Sequence, residues 1–536
     1  MANRGADALA RALARSGITR IFTLSGNHIM PLFDAALDAG LSLIHTRHEA
    51  AAVHMADAWA RLTGEPGTAL VTGGPGHANA LGALYTARMA ESPVLLLSGH
   101  SPHAEQGMGA FQEMAQADIA APLAKASWVA ASAASLVADL EKALSLASGG
   151  RPGPVHLSLP TDCLEDAVAA PESSAPRAPP APVDARFAAP LLDRLVRAAR
   201  PLILAGPQSM TQPGRERLAR LEAATGIPVI GMESPRGIAD PSLGAFAEVL
   251  RQADCVLLLG KRLDFTLKFG KPPAFDPACR LMQIDAEIAE IERTTRAAGA
   301  RLVAVAQADV PSAIEALLHS AREPVRSAWL GEVRDAVAFR PAAWDALDPA
   351  RRPMHPVQAL RPLQAILDAH PESVFICDGG EFGQWAQACL HAPHRVINGV
   401  GGSIGAALPF AVAARLAKPN APIVAAMGDG TFGFHPAEID TAVRYGVDFI
   451  LVVGNDARWN AEYQIQVRDY GRERAHGCEL LPARYDQVAV AFGGHGERVT
   501  EAAQVLPAAL RAQASRLPSC VNVMIEGIAA PSMKRP

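Results

Sequence analysis

Short, uninterrupted apolar runs that end in Gly, Asp or Asn recur along the chain and restrict its fold more than any other feature. Examples are PLILAG, CVLLLG, IVAAMGDG and FILVVGND, and a helix-like stretch follows most of these runs. A strand inside a parallel sheet is buried on both faces, so its sequence is apolar throughout instead of alternating. Such runs followed by turns and helices are typical of βα units. We therefore predict an α/β protein with parallel sheets covered by helices on both faces.

Two changes in composition divide the 536-residue chain into three segments. Residues 169–182 are rich in Pro, Ala and Ser, which predicts a linker because such a stretch cannot hold a helix or a strand ladder. A second break runs through residues 339–356, where Pro and Arg interrupt a weak pattern. A chain of this length also exceeds what one hydrophobic core holds. We predict three doubly wound α/β domains, at residues 1–168, 185–330 and 350–536.

The overall composition excludes several classes of protein. Hydrophobic residues make up 49% of the chain, charged residues 19%, and the formal net charge is −5, without a run of Lys or Arg. This balance is typical of a globular protein and gives no electrostatic footprint for nucleic acid. No apolar run approaches the roughly 20 residues of a membrane span, and the N-terminal stretch lacks the apolar core of a signal peptide. The seven cysteines are scattered, without a CxxC pair, as in reduced thiols. We expect a cytoplasmic protein without membrane or nucleic-acid partners.

Two of the predicted turns place a carboxylate at the end of a strand. Asp429 stands in a Gly-Asp-Gly turn, and Asp456 follows 27 residues later in a Gly-Asn-Asp turn. Ligands of open parallel sheets gather beyond the carboxyl ends of the strands. The N–H groups of such a turn favour an anion while its carboxylate favours a cation, and Mg²⁺ shared between carboxylates and phosphate groups satisfies both. The alternative is a pair of ordinary turns in which Asp caps a helix.

The order of these motifs resembles the thiamine diphosphate-binding motif: GDG, a helix carrying E-I-x-T-A, a strand and an Asn-rich turn. The family usually ends this motif with Asn-Asn; here Asn455-Asp456 keeps the liganding oxygen and adds a negative charge. Residues 46–64, 71–99 and 109–128 resemble the group that contains acetolactate synthase, benzaldehyde lyase, 2-hydroxyacyl-CoA lyase and oxalyl-CoA decarboxylase. The resemblance implies a pyrimidine-binding, a central and a diphosphate-binding domain, in that order.

The same resemblance implies the residues that hold the cofactor. Mg²⁺ would be bound by Asp429, Asp456 and the backbone carbonyl of Arg458. The cofactor itself would meet these two aspartates and residues of three glycine-rich turns: Gly380, Glu381, Phe382, Gly402, Ser403, Ile404, Gly428, Gly430 and Thr431. Ile404 matches the large apolar residue that forces the cofactor into a bent shape, and plain core packing is the alternative. At Glu381 we expect the backbone amides, not the carboxylate, to meet the diphosphate.

Three further residues are implied in catalysis. Glu49 matches the glutamate that hydrogen-bonds the aminopyrimidine ring, and a carboxyl group in an apolar pocket can share a proton near neutral pH because its pKa is raised. The alternative for Glu49 is a helix start favoured by the helix dipole. His28 matches an acid/base histidine, and Gln112 matches a glutamine that contacts the cofactor-bound intermediate. The alternative for His28 is a residue that only forms hydrogen bonds within the protein. The alternative for Gln112 is a position on a solvated helix face.

The function implied by the resemblance is a thiamine diphosphate- and Mg²⁺-dependent enzyme that makes or cleaves a C–C bond next to a carbonyl. Its substrate would be a small carbonyl compound, and the reaction would pass through an acyl carbanion at C2 of the cofactor. The first candidate is an acetolactate synthase-like carboligase/lyase or a 2-keto acid decarboxylase. A 2-hydroxyacyl-CoA lyase or oxalyl-CoA decarboxylase comes second, because little chain follows VNVM to close over CoA. A cofactor-binding paralogue without catalysis is disfavoured by the joint presence of Glu49, His28 and Gln112.

Two further expectations concern FAD and the assembly. Acetolactate synthase also binds FAD in its central domain, but residues 232–246 and 260–273 resemble the lyase branches more than the synthase, which argues against FAD here. In the family, the glutamate and the Mg²⁺ ligands of one site come from different subunits, which implies a homodimer or homotetramer with shared active sites. An NAD- or FAD-dependent dehydrogenase is excluded because no GxGxxG turn with an acidic residue downstream follows an early strand.

Overall fold

The structure is a computed structural model that describes residues 3–168, 185–325 and 328–535. The linker predicted at residues 169–182 lies outside the described residues. Within these residues the strands form three sheets, and every strand pair in them is parallel. The prediction of three α/β regions with parallel sheets is therefore confirmed.

Each of the three segments contributes one sheet. The first sheet contains β1 Arg20–Thr23, β2 Ser42–His45, β3 Gly67–Val71, β4 Val94–His100, β5 Ala126–Val129 and β6 Val155–Pro160. The second contains β7 Pro201–Ala205, β8 Val229–Gly231, β9 Cys255–Leu259, β10 Arg280–Asp285 and β11 Leu302–Gln307. The third contains β12 Val374–Cys377, β13 His394–Ile397, β14 Ile423–Gly428, β15 Phe449–Asn455, β16 His495–Val499 and β17 Pro518–Met524.

Helices connect most of these strands. The first segment has α1 Gly5–Arg15, α2 Met30–Asp38, α3 Glu49–Thr63, α4 Pro75–Met89, α5 Gln116–Ala120, α6 Leu136–Ser148 and α7 Thr161–Glu165. The second has α8 Ala188–Arg197, α9 Gln212–Thr225, α10 Phe246–Leu250, α11 Ile288–Ala298, α12 Val310–Ser320 and α13 Ala328–Ala338. The third has α14 Pro356–Leu360, α15 Gln364–Asp368, α16 Gly380–Cys389, α17 Ala407–Ala417, α18 Asp429–Phe432, α19 Glu438–Arg444, α20 Asn460–Tyr470, α21 Tyr485–Ala491 and α22 Val505–Ser515. None of the helices in the described residues is long and apolar enough to cross a membrane.

The strands are apolar throughout because both faces of each sheet are covered. In β7, Leu202 and Leu204 pack into one hydrophobic cluster, whereas Ile203 and Ala205 pack into another. Successive side chains of a strand point to opposite faces, so two clusters require two covered faces. Continuous apolar runs are the sequence pattern that this arrangement produces.

The strand order places a crevice at the carboxyl end of each sheet. The orders are β2-β1-β3-β4-β6-β5, β11-β10-β9-β7-β8 and β13-β12-β14-β15-β17-β16. In each sheet the chain first moves to one side and then crosses back to continue on the other. The turns that leave the two strands flanking this switch point therefore diverge and leave a crevice, which is where α/β sheets bind ligands. The relevant pairs are β1 and β3 in the first sheet and β12 and β14 in the third.

The described residues group into two compact units. The first unit contains residues 3–168, 408–419 and 435–448. The second contains residues 185–325, 328–407, 420–434 and 449–535. Two helical stretches that are encoded between strands of the third sheet thus belong to the unit of the first sheet.

Hydrogen bonds to β2 and to the residues after it hold the 435–448 stretch in the first unit. The hydroxyl of Tyr445 donates to the carbonyl of Leu43 at 2.9 Å and accepts from the N–H of His45 at 2.7 Å. The carboxylate of Glu438 accepts from the N–H of Arg47 at 3.0 Å. These bonds use backbone groups of a strand at the edge of its sheet, which would otherwise face solvent.

Two glycines offer a test of how closely the elements of the first unit pack. A Cβ at Gly67, the first residue of β3, would lie 1.8 Å from the carbonyl oxygen of Ala56 in α3, whereas a Cβ at Gly82 in α4 would meet nothing within 4 Å. We expect Gly67→Ala to lower the free energy of unfolding by about 1–3 kcal/mol through overpacking. Gly82→Ala should raise it by about 0.5–1 kcal/mol because a helix interior favours alanine. Urea unfolding of the two variants checks this, and equal effects would contradict the packing described.

Candidate active site

A cavity of about 200 Å³ lies at the carboxyl edge of the third sheet. The turns that follow β12, β14 and β15 form most of its wall, so the cavity occupies the switch point between β12 and β14. Its lining includes the following residues: Gly379, Gly380, Glu381, Phe382, Gln384, Asn398, Gly402, Ile404, Gly428, Asp429, Gly430, Thr431, Gly454, Asp456, Arg458, Trp459 and Asn460. Of the residues implied by the cofactor resemblance, the structure brings all but Ser403 to this cavity.

One buried and one partly buried carboxylate dominate the electrostatics of the cavity. Asp429 is 2% exposed, and burial raises its pKa to about 6. Burial and then repulsion by Asp429 raise the pKa of Asp456 to about 8. Two carboxylates held this close disfavour each other's ionised form unless a cation lies between them. The pair therefore fits a divalent cation with oxygen ligands, and Mg²⁺ is the ion that combines carboxylates with phosphate groups.

Buried oxygen atoms without hydrogen-bond donors support the same fit. Among the described residues, Oδ2 of Asp429, Oε1 of Gln384 and Oδ1 of Asn398 have no hydrogen-bond partner. Leaving a buried acceptor unpaired is costly, so these atoms favour a ligand that brings a cation or N–H groups. The N-terminal ends of α16 and α20 also border the cavity, and helix N-termini favour an anion. The cavity thus has the features that suit a metal–diphosphate pair.

The turn after β15 is held in place by backbone and side-chain hydrogen bonds. The side chain of Asn455 donates to Oδ1 of Asn522 on β17, so this amide is used inside the protein and Asp456 faces the cavity. The N–H of Trp459 donates to the carbonyl of Cys478 at 2.8 Å. These bonds fix the backbone on both sides of Arg458, whose carbonyl is the third protein ligand implied for the metal.

Glycine is required at two close contacts in the cavity wall. A Cβ at Gly430 would lie 2.7 Å from the ring of Trp459, and a Cβ at Gly454 would lie 2.4 Å from the ring of Phe382. A side chain at position 430 would push the turns after β14 and β15 apart, and a side chain at position 454 would push the end of β15 away from α16. Gly430 therefore keeps Asp429 close to the turn after β15.

Ile404 is positioned by a buried carboxylate that the sequence did not single out. Asp378, at the end of β12, accepts N–H groups of Gly379 at 2.7 Å, Gly405 at 2.9 Å and Ala407 at 3.0 Å. Burial raises its pKa to about 6, while these hydrogen bonds lower it. The bonds tie the end of β12 to the segment that carries Ile404, whose side chain lies against Gly379. The only sequence signal for this role is an Asp directly after a buried strand.

Of the other residues implied for cofactor binding, Glu381 lines the cavity and Ser403 does not. The carboxylate of Glu381 accepts the N–H of Ala530 at 2.7 Å, and burial raises its pKa. This hydrogen bond directs the carboxylate toward the C-terminal stretch, which suits the expectation that backbone amides at this position meet an anion. Ser403 is absent from the cavity wall, and its carbonyl accepts from the side chain of Asn398 at 2.9 Å.

In the first unit, the glycine turn 72–76 after β3 lies at the switch point between β1 and β3. Glu49, the first residue of α3, is 8% exposed and accepts from the side chain of Asn79 at 3.0 Å. Its Oε1 lies 3.3 Å from the Cβ position of Gly76. The carboxyl group is therefore buried beside the turn and held in one orientation.

His28 and Gln112 border the same turn. Nδ1 of His28 lies 3.2 Å from the hydroxyl of Thr72, and burial lowers the pKa of His28, so its ring is neutral at pH 7. The ring of Phe111 stacks on the imidazole, with 5.9 Å between the ring centroids. A Cβ at Gly74 would lie 2.7 Å from the carbonyl oxygen of Gln112. The three implied catalytic residues thus surround one turn.

Gln116 is a further residue of this turn that sequence reasoning missed. It is 1% exposed, and its Oε1 accepts the N–H of Gly74 at 2.7 Å. Its Nε2 donates to the carbonyl of Gly99 and to the hydroxyl of Ser158, each at 3.0 Å. Gly74 has φ of +58°, a conformation that few residues other than glycine adopt. Gln116 therefore holds the strained turn against β4 and β6.

The fold and these two sites define a class of protein. One unit carries a buried glutamate and a neutral histidine beside a glycine turn, and the other carries a carboxylate cavity suited to a metal and an anion. This is the class of enzymes that bind a diphosphate cofactor on one sheet and its reactive ring on another.

Comparison with known proteins identifies the family. Three domain models of the thiamine pyrophosphate enzyme family match this chain. They are the N-terminal TPP binding domain at residues 3–119, the central domain at residues 188–317, and the C-terminal TPP binding domain at residues 378–523. The chain belongs to the thiamine pyrophosphate enzyme family and is a thiamine diphosphate-dependent enzyme. The resemblance stated from the sequence is confirmed.

Curated relatives cover nearly the whole chain. A probable acetolactate synthase of Mycobacterium bovis is 33% identical over 97% of this chain and 95% of its own length. 2-Hydroxyacyl-CoA lyase 2 of Bos taurus is 30% identical over 97% of this chain and 90% of its own length. An acetolactate synthase large subunit of Parasynechococcus marenigrum is 29% identical over 93% of this chain and 83% of its own length. The similarity thus extends to two branches of the family.

The two carboxylates of the cavity should differ in their importance for the metal. We expect Asp429→Asn to weaken Mg²⁺ binding by more than about 100-fold, because it removes the charge of the more deeply buried ligand. Asp456→Asn should weaken it only about 10-fold, because the amide oxygen still ligates and the family commonly has Asn there. Mg²⁺ titration in the presence of thiamine diphosphate, followed by the fluorescence of Trp459 in the cavity wall, measures both.

Asp469→Asn serves as the control, since Asp469 is exposed on α20 and pairs with Arg468. It should bind Mg²⁺ as the wild-type protein does. In metal-free protein above about pH 8, where Asp456 is ionised, Asp456→Asn should also raise the thermal midpoint because it removes one of two repelling charges. Unchanged Mg²⁺ affinity in Asp429→Asn would contradict the assignment of this cavity.

Proposed function

We propose that the chain is a thiamine diphosphate- and Mg²⁺-dependent enzyme that makes or cleaves a C–C bond next to a carbonyl, with a small carbonyl compound as substrate. The observation that carries the proposal is the pair of desolvated carboxylates at the ends of β14 and β15, of which Asp429 repels Asp456, together with unpaired acceptor oxygens in the same cavity. When bound, the cofactor supplies a nucleophilic carbon and an electron sink. The residues of this chain bind it, orient it and move protons.

Binding of the diphosphate end falls to the second unit. Asp429, Asp456 and the carbonyl of Arg458 would hold Mg²⁺, which neutralises the two carboxylates and attracts the anion. The N-terminal ends of α16 and α20 would add N–H donors and the positive ends of their dipoles. Ile404, held by the hydrogen bonds of Asp378, would press an apolar side chain against the cofactor.

Proton movement falls to the first unit. Glu49 is buried at the start of α3, and Asn79 donates one hydrogen bond to it, so its carboxyl group is held in one orientation. A carboxyl group fixed in this way is suited to hydrogen-bond a ring nitrogen. The neutral imidazole of His28 can accept a proton from a substrate hydroxyl and return it. Gln112 can donate a hydrogen bond to a substrate oxygen from the same side of the turn.

Within this class we place an acetolactate synthase-like carboligase/lyase or 2-keto acid decarboxylase first. Relatives named acetolactate synthase include the 33% identical protein of Mycobacterium bovis. A 2-hydroxyacyl-CoA lyase is the second candidate, because a relative with this name is 30% identical over 97% of the chain. The proposal includes no FAD.

We also propose how the chain is divided and assembled. Domains at residues 1–168, 185–330 and 350–536 would carry the three sheets. The sites would be shared between copies of the chain in a homodimer or homotetramer, as the family resemblance implies. All seven cysteines are free, which suits the reducing conditions of the cytoplasm.

The donor substrate can be identified directly on the cofactor. We expect the enzyme loaded with Mg²⁺ and thiamine diphosphate to form a covalent adduct with a 2-keto acid, because the nucleophilic carbon adds to its carbonyl group. Acid quench and mass spectrometry of a panel of 2-keto acids, 2-hydroxyacyl-CoA esters and aromatic aldehydes show which donor is attached. Adducts with the CoA esters alone would favour the second candidate. Bound cofactor without any adduct across the panel would overturn the catalytic proposal.

Shared active sites predict that two inactive variants restore each other. Glu49→Gln and Asp429→Asn should each lower the rate by at least about 10²-fold. Co-expressed differently tagged chains should form mixed dimers, in which one of two sites combines an intact Glu49 with an intact Asp429. We expect about one quarter of the wild-type activity, since about half of the dimers are mixed.

The matched control co-expresses Glu49→Gln with the double variant Glu49→Gln/Asp429→Asn, which leaves no intact site in any dimer. It should stay inactive. Mixed dimers that are isolated through both tags and show no recovered activity would argue that each site is built within one chain.

A further inference from the structure

Three residues with metal-binding side chains meet at the carboxyl edge of the first sheet, apart from the glycine turn. His103 begins the short turn that follows β4, while Asp162 and Cys163 lie in α7 directly after β6. The strands β4 and β6 are parallel neighbours, with His100 opposite Pro160, so the residues that follow them emerge side by side. Residues about 60 positions apart in the chain are thereby brought into contact.

The distances within this cluster match those between ligands of one metal ion. Nδ1 of His103 lies 3.4 Å from Oδ1 of Asp162 and 3.6 Å from Sγ of Cys163, and the three ligand atoms all lie within 4.8 Å of one another. In a tetrahedral zinc site, bond lengths of about 2.0–2.3 Å separate N and O ligands by about 3.3 Å and N and S ligands by about 3.6 Å. The spacing therefore already fits a shared ion.

We propose that His103, Asp162 and Cys163 form a Zn²⁺ site with three protein ligands and one open position. Zn²⁺ is the ion that combines imidazole, carboxylate and thiolate in tetrahedral geometry, and water would complete the shell. The set differs from the cavity of the second unit, whose ligands are all oxygen atoms and suit Mg²⁺. Among the described residues, it is the one group of at least three His, Cys, Asp or Glu whose ligand atoms come this close.

The surroundings of Cys163 favour a cation. The thiol of Cys163 is buried, and the carboxylates of Asp162, Asp166 and Asp139 lie near enough to interact with it electrostatically. Zn²⁺ would displace the thiol proton: the S–H bond breaks, a Zn–S bond forms and one H⁺ is released to solvent. The same carboxylates would then stabilise the bound cation.

Asp162 is oriented for this role by the backbone. Its Oδ2 accepts the N–H of His103 at 2.8 Å, and its Oδ1 accepts the N–H of Cys163 at 3.0 Å. Each oxygen keeps a lone pair, so Oδ1 can ligate while both hydrogen bonds remain. The side chain of His103 is exposed, so the open position of the ion could be reached from solvent.

Zn²⁺ at this position would tether the segment that leads to the proposed substrate pocket. His103 lies only eight or nine residues before Phe111 and Gln112. Metal binding would fix the first residue of this segment to α7. The site does not depend on the proposed reaction, because none of its ligands belongs to the cofactor residues.

Cobalt is the probe that separates this site from the magnesium cavity. The full-length enzyme, saturated with Mg²⁺ and thiamine diphosphate, is titrated with Co²⁺, which reports a thiolate ligand by a charge-transfer band in the near ultraviolet. We expect the intensity of this band to saturate at one Co²⁺ per chain and the band to disappear when Zn²⁺ is added. Cys163→Ser should abolish the band, and His103→Gln should weaken Co²⁺ binding about tenfold or more.

The matched control is Cys389→Ser, which removes a partly exposed cysteine of the second unit and should keep the band unchanged. Absence of the band in the wild-type protein, or its survival in Cys163→Ser, would overturn the proposal. If Cys163→Ser does not fold, His103→Gln provides the test, because the side chain of His103 is exposed and its loss leaves the core intact. Unchanged Co²⁺ binding in His103→Gln would also overturn the proposal.

Discussion

The desolvation of two carboxylates at the ends of adjacent parallel strands is the constraint on which the rest of the site depends. Asp429 and Asp456 lie where β14 and β15 end, and desolvation makes both costly to ionise without a cation; repulsion by Asp429 adds to this cost at Asp456. The rest of the cavity complements this pair. Acceptor oxygens without donors and the N-terminal ends of α16 and α20 suit a ligand that carries both a cation and an anion. A ligand that neutralises the carboxylates offsets the cost of their desolvation and so stabilises the fold.

Because the turns after neighbouring strands lie close together, residues from several strand ends can contact one ligand. Gly430 lies under the ring of Trp459, and Gly454 lies under the ring of Phe382, so glycine at these positions lets neighbouring turns touch. In the first unit, Gly74 takes a left-handed conformation that the hydrogen bond from its N–H to Oε1 of Gln116 maintains. Both sites therefore use the same principle: a rigid parallel sheet supplies the strand ends, and glycine turns bring backbone and side chains within bonding distance of a ligand.

The two units carry different chemical groups. The second unit holds charge, which suits the diphosphate end of a cofactor, whereas the first holds a buried glutamate and a neutral histidine, which suit proton transfer. Family membership, shown by three matched domains and relatives of 30–33% identity, agrees with this division.

The sequence by itself determined the parallel α/β class and the two aspartate turns, because burial on both faces and a strand end are local features that a single segment records. It did not reveal β8, β13 or β16, which are short or partly polar, nor β17, whose Ser, Cys and Asn are buried only because strands flank it. Tertiary structure also decided the hydrogen-bonding roles of Asp378 and Gln116 and the packing of residues 435–448 on the first sheet. It likewise brought His103 next to Cys163. In each case the partners lie far apart in the chain, and only the order of strands in the sheets makes them neighbours.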